Sequence, residues 1–98
     1  MPTFISLLNW TDEGIRAYQD TIQRSEAFAA MLEELGGRLV DLYWSEGPYD
    51  LVGVIEAPDD KTVVAALLRT AGLGNIRSTT FRAFDRDEMA EVIAKATG

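Results

Sequence analysis

Four residues, Gly47-Pro48-Tyr49-Asp50, stand between two apolar runs, and this arrangement restricts the fold more than any other stretch of the chain. Before them lies Leu39-Val40-Asp41-Leu42-Tyr43-Trp44; after them lies Leu51-Val52-Gly53-Val54-Ile55. Side chains that are β-branched or aromatic suit a pleated, packed surface, so both runs read as strands. Gly47 supplies backbone freedom, Pro48 presets φ for a tight turn, and Asp50 can hydrogen-bond its own backbone. A connection this short joins antiparallel neighbours, so the pair is a hairpin. Tyr49 and Asp50 have two readings at this level: turn chemistry alone, or a phenol and a carboxylate lining a small polar site beside Trp44.

The rest of the chain arranges itself around that hairpin. Residues 3–10 form a first strand, with Phe4, Ser6, Leu8 and Trp10 on one side and Ile5 and Leu7 on the other. Thr11 is placed to cap a helix, and Asp12 and Glu13 suit its positive end. Ile15, Tyr18, Ile22, Ala29, Leu32 and Leu35 recur at helical steps, which predicts one amphipathic helix over 12–35, about 36 Å long, ended by Gly36-Gly37. After the hairpin, Pro58 closes the strand and Asp59 or Asp60 caps a second helix. Val63, Val64, Leu67, Leu68 and Ala71 are the expected buried face of that helix, and Gly72-Leu73-Gly74 its stop. Two adjacent aspartates could also hold a divalent cation, but without further ligands capping is the better reading. Residues 75–84 give a fourth strand, with Ile76, Ser78, Thr80, Arg82 and Phe84 on one side and Arg77, Thr79, Phe81 and Ala83 on the other. Asp85 and Glu88 resemble a capping box ahead of a short final helix marked by Met89, Val92, Ile93 and Ala96.

The order is therefore β-α-β-β-α-β plus a terminal helix. Two right-handed crossovers and a hairpin give an α+β, ferredoxin-like arrangement: a four-stranded antiparallel sheet, both main helices on one face, and residues 1–98 as a single domain. An antiparallel sheet with one wet face should alternate apolar and polar residues along each strand. Three of these strands do not. The second is expected to carry Val40, Leu42 and Trp44 on one side and Leu39 and Tyr43 on the other; the third opposes Leu51, Ile55 and Ala57 with Val52 and Val54. A second copy of the same sheet is the simplest cover for the surplus face, which predicts a homodimer through the sheet face, a dimeric α/β barrel. A standard interface of roughly 1,600 Å², about 60% apolar, supplies a transfer term near 24 kcal/mol before the costs of association.

Composition narrows the chemistry. Sixteen acidic residues against nine basic ones leave a net charge of −7, which argues against nucleic acid and against an anionic membrane surface. No apolar run approaches the roughly 20 residues of a bilayer span, and no signal-like core follows a charged N-terminus. A cytoplasmic location is the default expectation. The chain has neither cysteine nor histidine. Thiolate catalysis, cysteine- or histidine-ligated metals, axial haem ligation and the commonest general base are thus removed together, and no cofactor or metal is expected.

With the elements in place, the chain resembles the GYD-domain family, named for a glycine–tyrosine–aspartate signature. Here Gly47, Tyr49 and Asp50 match it, with Pro48 inserted. The likeness continues through Trp10-Thr11-Asp12, Gly14-Ile15-Arg16, Leu35-Gly36-Gly37, Tyr43-Trp44, Glu56-Ala57-Pro58-Asp59-Asp60, Gly74-Asn75-Ile76-Arg77 and Arg82-Ala83-Phe84. Pro48 and the Ile22–Ser25 segment are the departures. The resemblance implies a ferredoxin-like protomer similar to the dimeric α/β-barrel proteins, and it implies no particular activity.

Three functional readings follow. The first is a small homodimeric protein that binds a small organic ligand, with Trp10, Tyr43, Trp44 and Tyr49 as aromatic walls and Ser78, Thr80, Arg82 and Asp50 as orienting groups. Core or interface packing is the competing explanation for those aromatics. The second is a cofactor-independent enzyme acting on a small organic acid or aromatic by isomerisation, cyclisation or decarboxylation. There Asp50 would be the base, Tyr49 the acid and Arg82 the carboxylate anchor. The third is a dimerisation module without a ligand.

Overall fold

The computed structural model describes residues 1–98. Strands β1 (Thr3–Trp10), β2 (Arg38–Trp44), β3 (Leu51–Glu56) and β4 (Ile76–Ala83) make one antiparallel sheet in the order β2-β3-β1-β4. Helices α1 (Asp12–Arg16), α2 (Thr21–Glu34), α3 (Asp60–Ala71) and α4 (Arg86–Thr97) complete the order. The arrangement is ferredoxin-like, with the two crossing connections carried by α1–α2 and by α3. The core lies between α2, α3 and one sheet face, where Phe4, Ile55, Leu32, Val63 and Ala66 are buried together.

The caps form as their sequences require. Thr11 Oγ1 accepts the Gly14 amide at 3.0 Å, and Asp59 rather than Asp60 caps α3, accepting both the amide and the hydroxyl of Thr62 at 2.8 Å. Asp85 and Glu88 close a reciprocal capping box at the start of α4. Gly36 ends the α2 segment with φ +89°, a left-handed conformation that glycine reaches without steric cost.

Three local expectations give way to tertiary structure. The helix expected over 12–35 is two helices joined by a 3₁₀ turn at Tyr18–Asp20. Gly14 is buried so tightly against the Asn75 backbone that a methyl group built on it would collide with the Asn75 carbonyl, which pins α1 to the β4 side of the molecule. To cover the sheet, α2 must set off in a new direction. Arg24 stabilises the break by donating to the carbonyls of Ala17, at 3.0 Å, and Gly14, at 3.4 Å. The break turns Ile15, Tyr18 and Ile22 out to solvent.

The second correction lies in β2. A bulge between Leu39 and Asp41 shifts the register, so Leu39 pairs with Ile55 and joins Leu42 and Trp44 on the helix side instead of Tyr43 on the other. The third concerns α3, which buries Val63 and Ala66 and packs Leu67 beside them, while Val64 and Leu68 are exposed.

The opposite sheet face is open. Its centre carries Ile5, Leu7, Val52 and Val54, all half-buried, flanked by Tyr43 and Phe81 at 61% and 47% exposure. Arg38 and Glu56 form a cross-strand ion pair at its edge, 2.8 Å apart. Helix α4 makes no extensive contact with any other element and buries none of its residues. The chain is correspondingly elongated, 52 Å in its longest dimension, and its radius of gyration of 14.8 Å exceeds the value near 13 Å expected of a compact chain this long.

Candidate functional site

The principal concavity lies between α2, the C-terminal end of α3 and the sheet, with a volume of about 330 Å³. It exists because of two small residues. Ser6 and Gly53 are directly paired across β1 and β3, side by side on the helix-facing surface. Larger side chains at those positions would fill the space under α2. Gly53 has no positive φ, and a methyl group there would meet only ordinary contacts of 3.6 to 3.9 Å with Leu42, Leu39 and Ser6. Backbone geometry therefore does not require glycine at this position. Glycine in a strand interior weakens the strand and marks places where something else approaches closely. Around this floor stand Leu8, Trp10, Leu39, Leu42, Leu51, Ile55 and Ile76 from the sheet, Phe28 and Met31 from α2, and Leu73 from the turn before β4.

Polar groups are few and mostly committed. Buried Ser6 shares a 2.8 Å hydrogen bond with Thr80, Ser25 donates to the Ile22 carbonyl, and Thr70 donates to that of Ala66. Thr21 accepts the Trp44 indole N–H at 3.0 Å. Arg24, Arg69 and Asn75 complete the lining.

The residues singled out from sequence divide between several places. Trp10 lines the cavity, and Trp44 stands beside it, one hydrogen bond away through Thr21. Ser78, Thr80 and Arg82 follow one another along the helix-facing side of β4, paired with Leu8, Ser6 and Phe4. Tyr43 projects from the opposite sheet face. Tyr49 sits half-buried in the hairpin loop, where its carbonyl accepts the Ser45 hydroxyl at 2.7 Å. Asp50 continues the ladder beyond the last β1–β3 pair: its amide donates to the Leu8 carbonyl, and its carboxylate accepts the Trp10 amide, both at 2.9 Å.

Arg82 is held at the other end of β1. It donates to Glu88 at 2.5 Å and to the carbonyls of Thr3 and Ala83, and it lies over the Phe84 ring. The hydrogen bond from Arg82 holds the Glu88 carboxyl below its usual range, with the Asp85 amide adding to the effect. From Trp10 to Phe4 is six strand residues, or about 20 Å. Asp50 and Arg82 are thus separated by the length of β1 and do not converge within one protomer.

Sequence reasoning missed Gly53, Phe28, Met31, Arg24, Arg69 and Asn75. A glycine and a serine interrupting apolar strand faces were the visible signal for the floor. The two arginines carry no local signal, since nothing in helical spacing distinguishes a cavity rim from a solvated face.

A split βαβ sheet with a cavity beneath its helix layer defines a ferredoxin-like α+β protein. The GYD domain profile matches residues 4–93, and the chain belongs to that family. It is 38% identical over 96 residues to the "Glutamine synthetase and cystathionine beta-lyase binding protein" of Thermus thermophilus, an alignment covering 97% of this chain and 98% of that one. Among solved structures, TTHA0845 from Thermus thermophilus shares the fold with a TM-score of 0.55 at 23% identity, over 87% of this chain and 95% of that one. MtbAldR shares it with a TM-score of 0.67 at 12% identity, over 87% of this chain and 54% of the longer one. No helix is long and apolar enough to cross a membrane.

Proposed function

We propose that this chain is a binding module that holds a small organic ligand in the cavity beneath α2 and works as a homodimer joined through the open sheet face. The observation that carries the reading is the apolar cavity hollowed over Ser6 and Gly53, where glycine serves no backbone need. Its volume lies at the lower end of the range for small-molecule sites, which are mostly apolar with a few polar groups. The separation of Asp50 from Arg82 favours binding over catalysis, because the carboxylate and cation that the enzyme reading requires lie at opposite ends of β1.

Titration with indole, a neutral probe of suitable size, tests the ligand reading by amide NMR. Indole should shift the resonances of Ser6, Gly53 and Phe28, and Gly53→Leu should abolish the shifts by filling the floor. Shifts absent at millimolar concentration with both indole and its anionic analogue indole-3-acetate would leave a dimerisation module without a ligand. The dimer is supported by the continuous apolar strip of Ile5, Leu7, Val52 and Val54, since a patch of this kind marks an interaction surface. Sedimentation at micromolar concentration should give twice the 10.8 kDa of the chain.

A second reading rests on the Thermus thermophilus relative, whose name states that it binds two enzymes. On that reading this chain is a protein-binding module as well, and the exposed Ile15, Tyr18 and Ile22 offer an apolar docking surface. Surface-plasmon measurements against glutamine synthetase and cystathionine β-lyase from the same source organism decide it; no response from either at 100-fold above a micromolar Kd would eliminate it for those partners.

A further inference from the structure

We infer that the cavity takes a small monocarboxylic acid with an aromatic or branched apolar body. The body lies against Trp10 and Phe28, and the carboxylate is held by Arg24 and Arg69. The inference rests on the ligand-binding reading above and names the class of ligand.

The charge pattern is the first argument. The chain carries 16 acidic and nine basic residues, yet the cavity is lined by two arginines and by no aspartate or glutamate. Neither arginine has a carboxylate partner; the two ion pairs of the chain are Arg38–Glu56 and Arg82–Glu88. In so acidic a molecule, two unpaired guanidinium groups at one concave site form a locally positive place on a negative surface.

Hydrogen-bond capacity is the second argument. A guanidinium has five N–H donors in a planar fork suited to a carboxylate. Arg24 spends two, on the carbonyls of Ala17 and Gly14, and these contacts fix its orientation while leaving three free. Gly14 in turn abuts the backbone of Asn75, which also lines the cavity. The hydroxyls of Ser6, Thr21, Ser25 and Thr70 already have partners within the chain. Arg24, near the start of α2, and Arg69, in the last turn of α3, both lie toward the end of β1 where Trp10 pairs with Ile76, and most of the other lining side chains are apolar. One anionic head on an apolar body matches that distribution; a sugar or a dicarboxylate would leave polar atoms against hydrocarbon, at a cost in free energy.

The test uses two probes of nearly equal shape, indole-3-acetate and the neutral indole-3-acetamide, titrated by calorimetry and amide NMR. The acetate is expected to bind at least tenfold more tightly, with shifts at Ser6 and Gly53 and along 21–25. Arg69→Gln, at an exposed side chain outside the fold's hydrogen-bond network, is expected to weaken acetate binding about tenfold and leave the acetamide unchanged, the scale of one charged hydrogen bond. Arg24→Gln should do the same, with amide spectra reporting whether the α1–α2 break survives. Gly53→Leu should block both probes. Equal affinity for the two probes, or an acetate affinity indifferent to Arg69→Gln, overturns the acid class and leaves a cavity for neutral ligands. Acetate binding that survives Gly53→Leu overturns the assignment to this cavity. If neither probe shifts Ser6 or Gly53 at millimolar concentration, the ligand-binding reading fails along with the inference.

Discussion

Replacing Asp50 with alanine separates a structural duty from a chemical one at the residue that closes the glycine–tyrosine–aspartate signature. Its carboxylate accepts the Trp10 amide at 2.9 Å, and its own amide donates to Leu8 at 2.9 Å. The side chain therefore extends the β1–β3 ladder one step past the Leu8–Leu51 pair and fastens the hairpin loop to the end of β1. A hydrogen bond to a charged group contributes about 1.5–3 kcal/mol. The position is half-buried, so about 2 kcal/mol is expected for Asp50→Ala. Asp50→Asn keeps an acceptor oxygen without the charge and should cost about 1 kcal/mol. For a domain of this size each 1 kcal/mol lowers the melting midpoint by roughly 4–8 °C, so the alanine variant should melt about 10 °C below the parent. Urea denaturation at one fixed protein concentration measures the difference, with an unchanged slope showing that the exposed surface is the same. If both variants fall within about 0.5 kcal/mol of the parent while ligand binding or any turnover disappears, the fastening role is wrong and the carboxylate serves the site directly.

Other consequences can be measured with the same methods. Gly14→Ala drives a methyl group into the Asn75 carbonyl and can be accommodated only by backbone movement. It should cost about 3 kcal/mol in urea, at the upper end of overpacking effects, and a cost below about 1 kcal/mol would contradict the close approach. Val54→Lys puts a charge at the centre of the open sheet face without touching the core and should convert the expected dimer to a 10.8 kDa species in sedimentation; an unchanged dimer would exclude that face. Glu88 is held below its ordinary value of 4.5 chiefly by the Arg82 hydrogen bond, and Asp59 below 3.8 chiefly by the Thr62 amide. Depressed carboxyls stabilise the folded state fully above those ordinary values and lose the effect as pH falls through the depressed ones. Helix content by circular dichroism should therefore decline in acid below about pH 4.5, and Glu88→Gln should flatten the α4 part of that decline.

Much of the architecture follows from signals that act over a few residues. Apolar runs rich in β-branched and aromatic residues and bounded by turn residues identified the strands, and Thr11, the Asp59–Asp60 doublet and the Asp85–Glu88 pair marked helix starts, because a cap answers the unpaired amides of its own first turn. The excess of apolar residues on β1 and β3 showed that neither sheet face could be polar throughout, and the open face does carry Ile5, Leu7, Val52 and Val54 at its centre. Tertiary contact decided what local periodicity does not encode. Burial of Gly14 against Asn75 broke the first helix, and the bulge beside Val40 moved Leu39 to the helix side. Strand pairing set Ser6 beside Gly53, although 47 positions separate them in the chain. That pairing hollowed the cavity, just as the length of β1 kept Asp50 from Arg82. Periodicity reports which face of its own element a residue occupies; which residues meet across a gap depends on register and on where the next layer is anchored, and those are properties of the assembled fold.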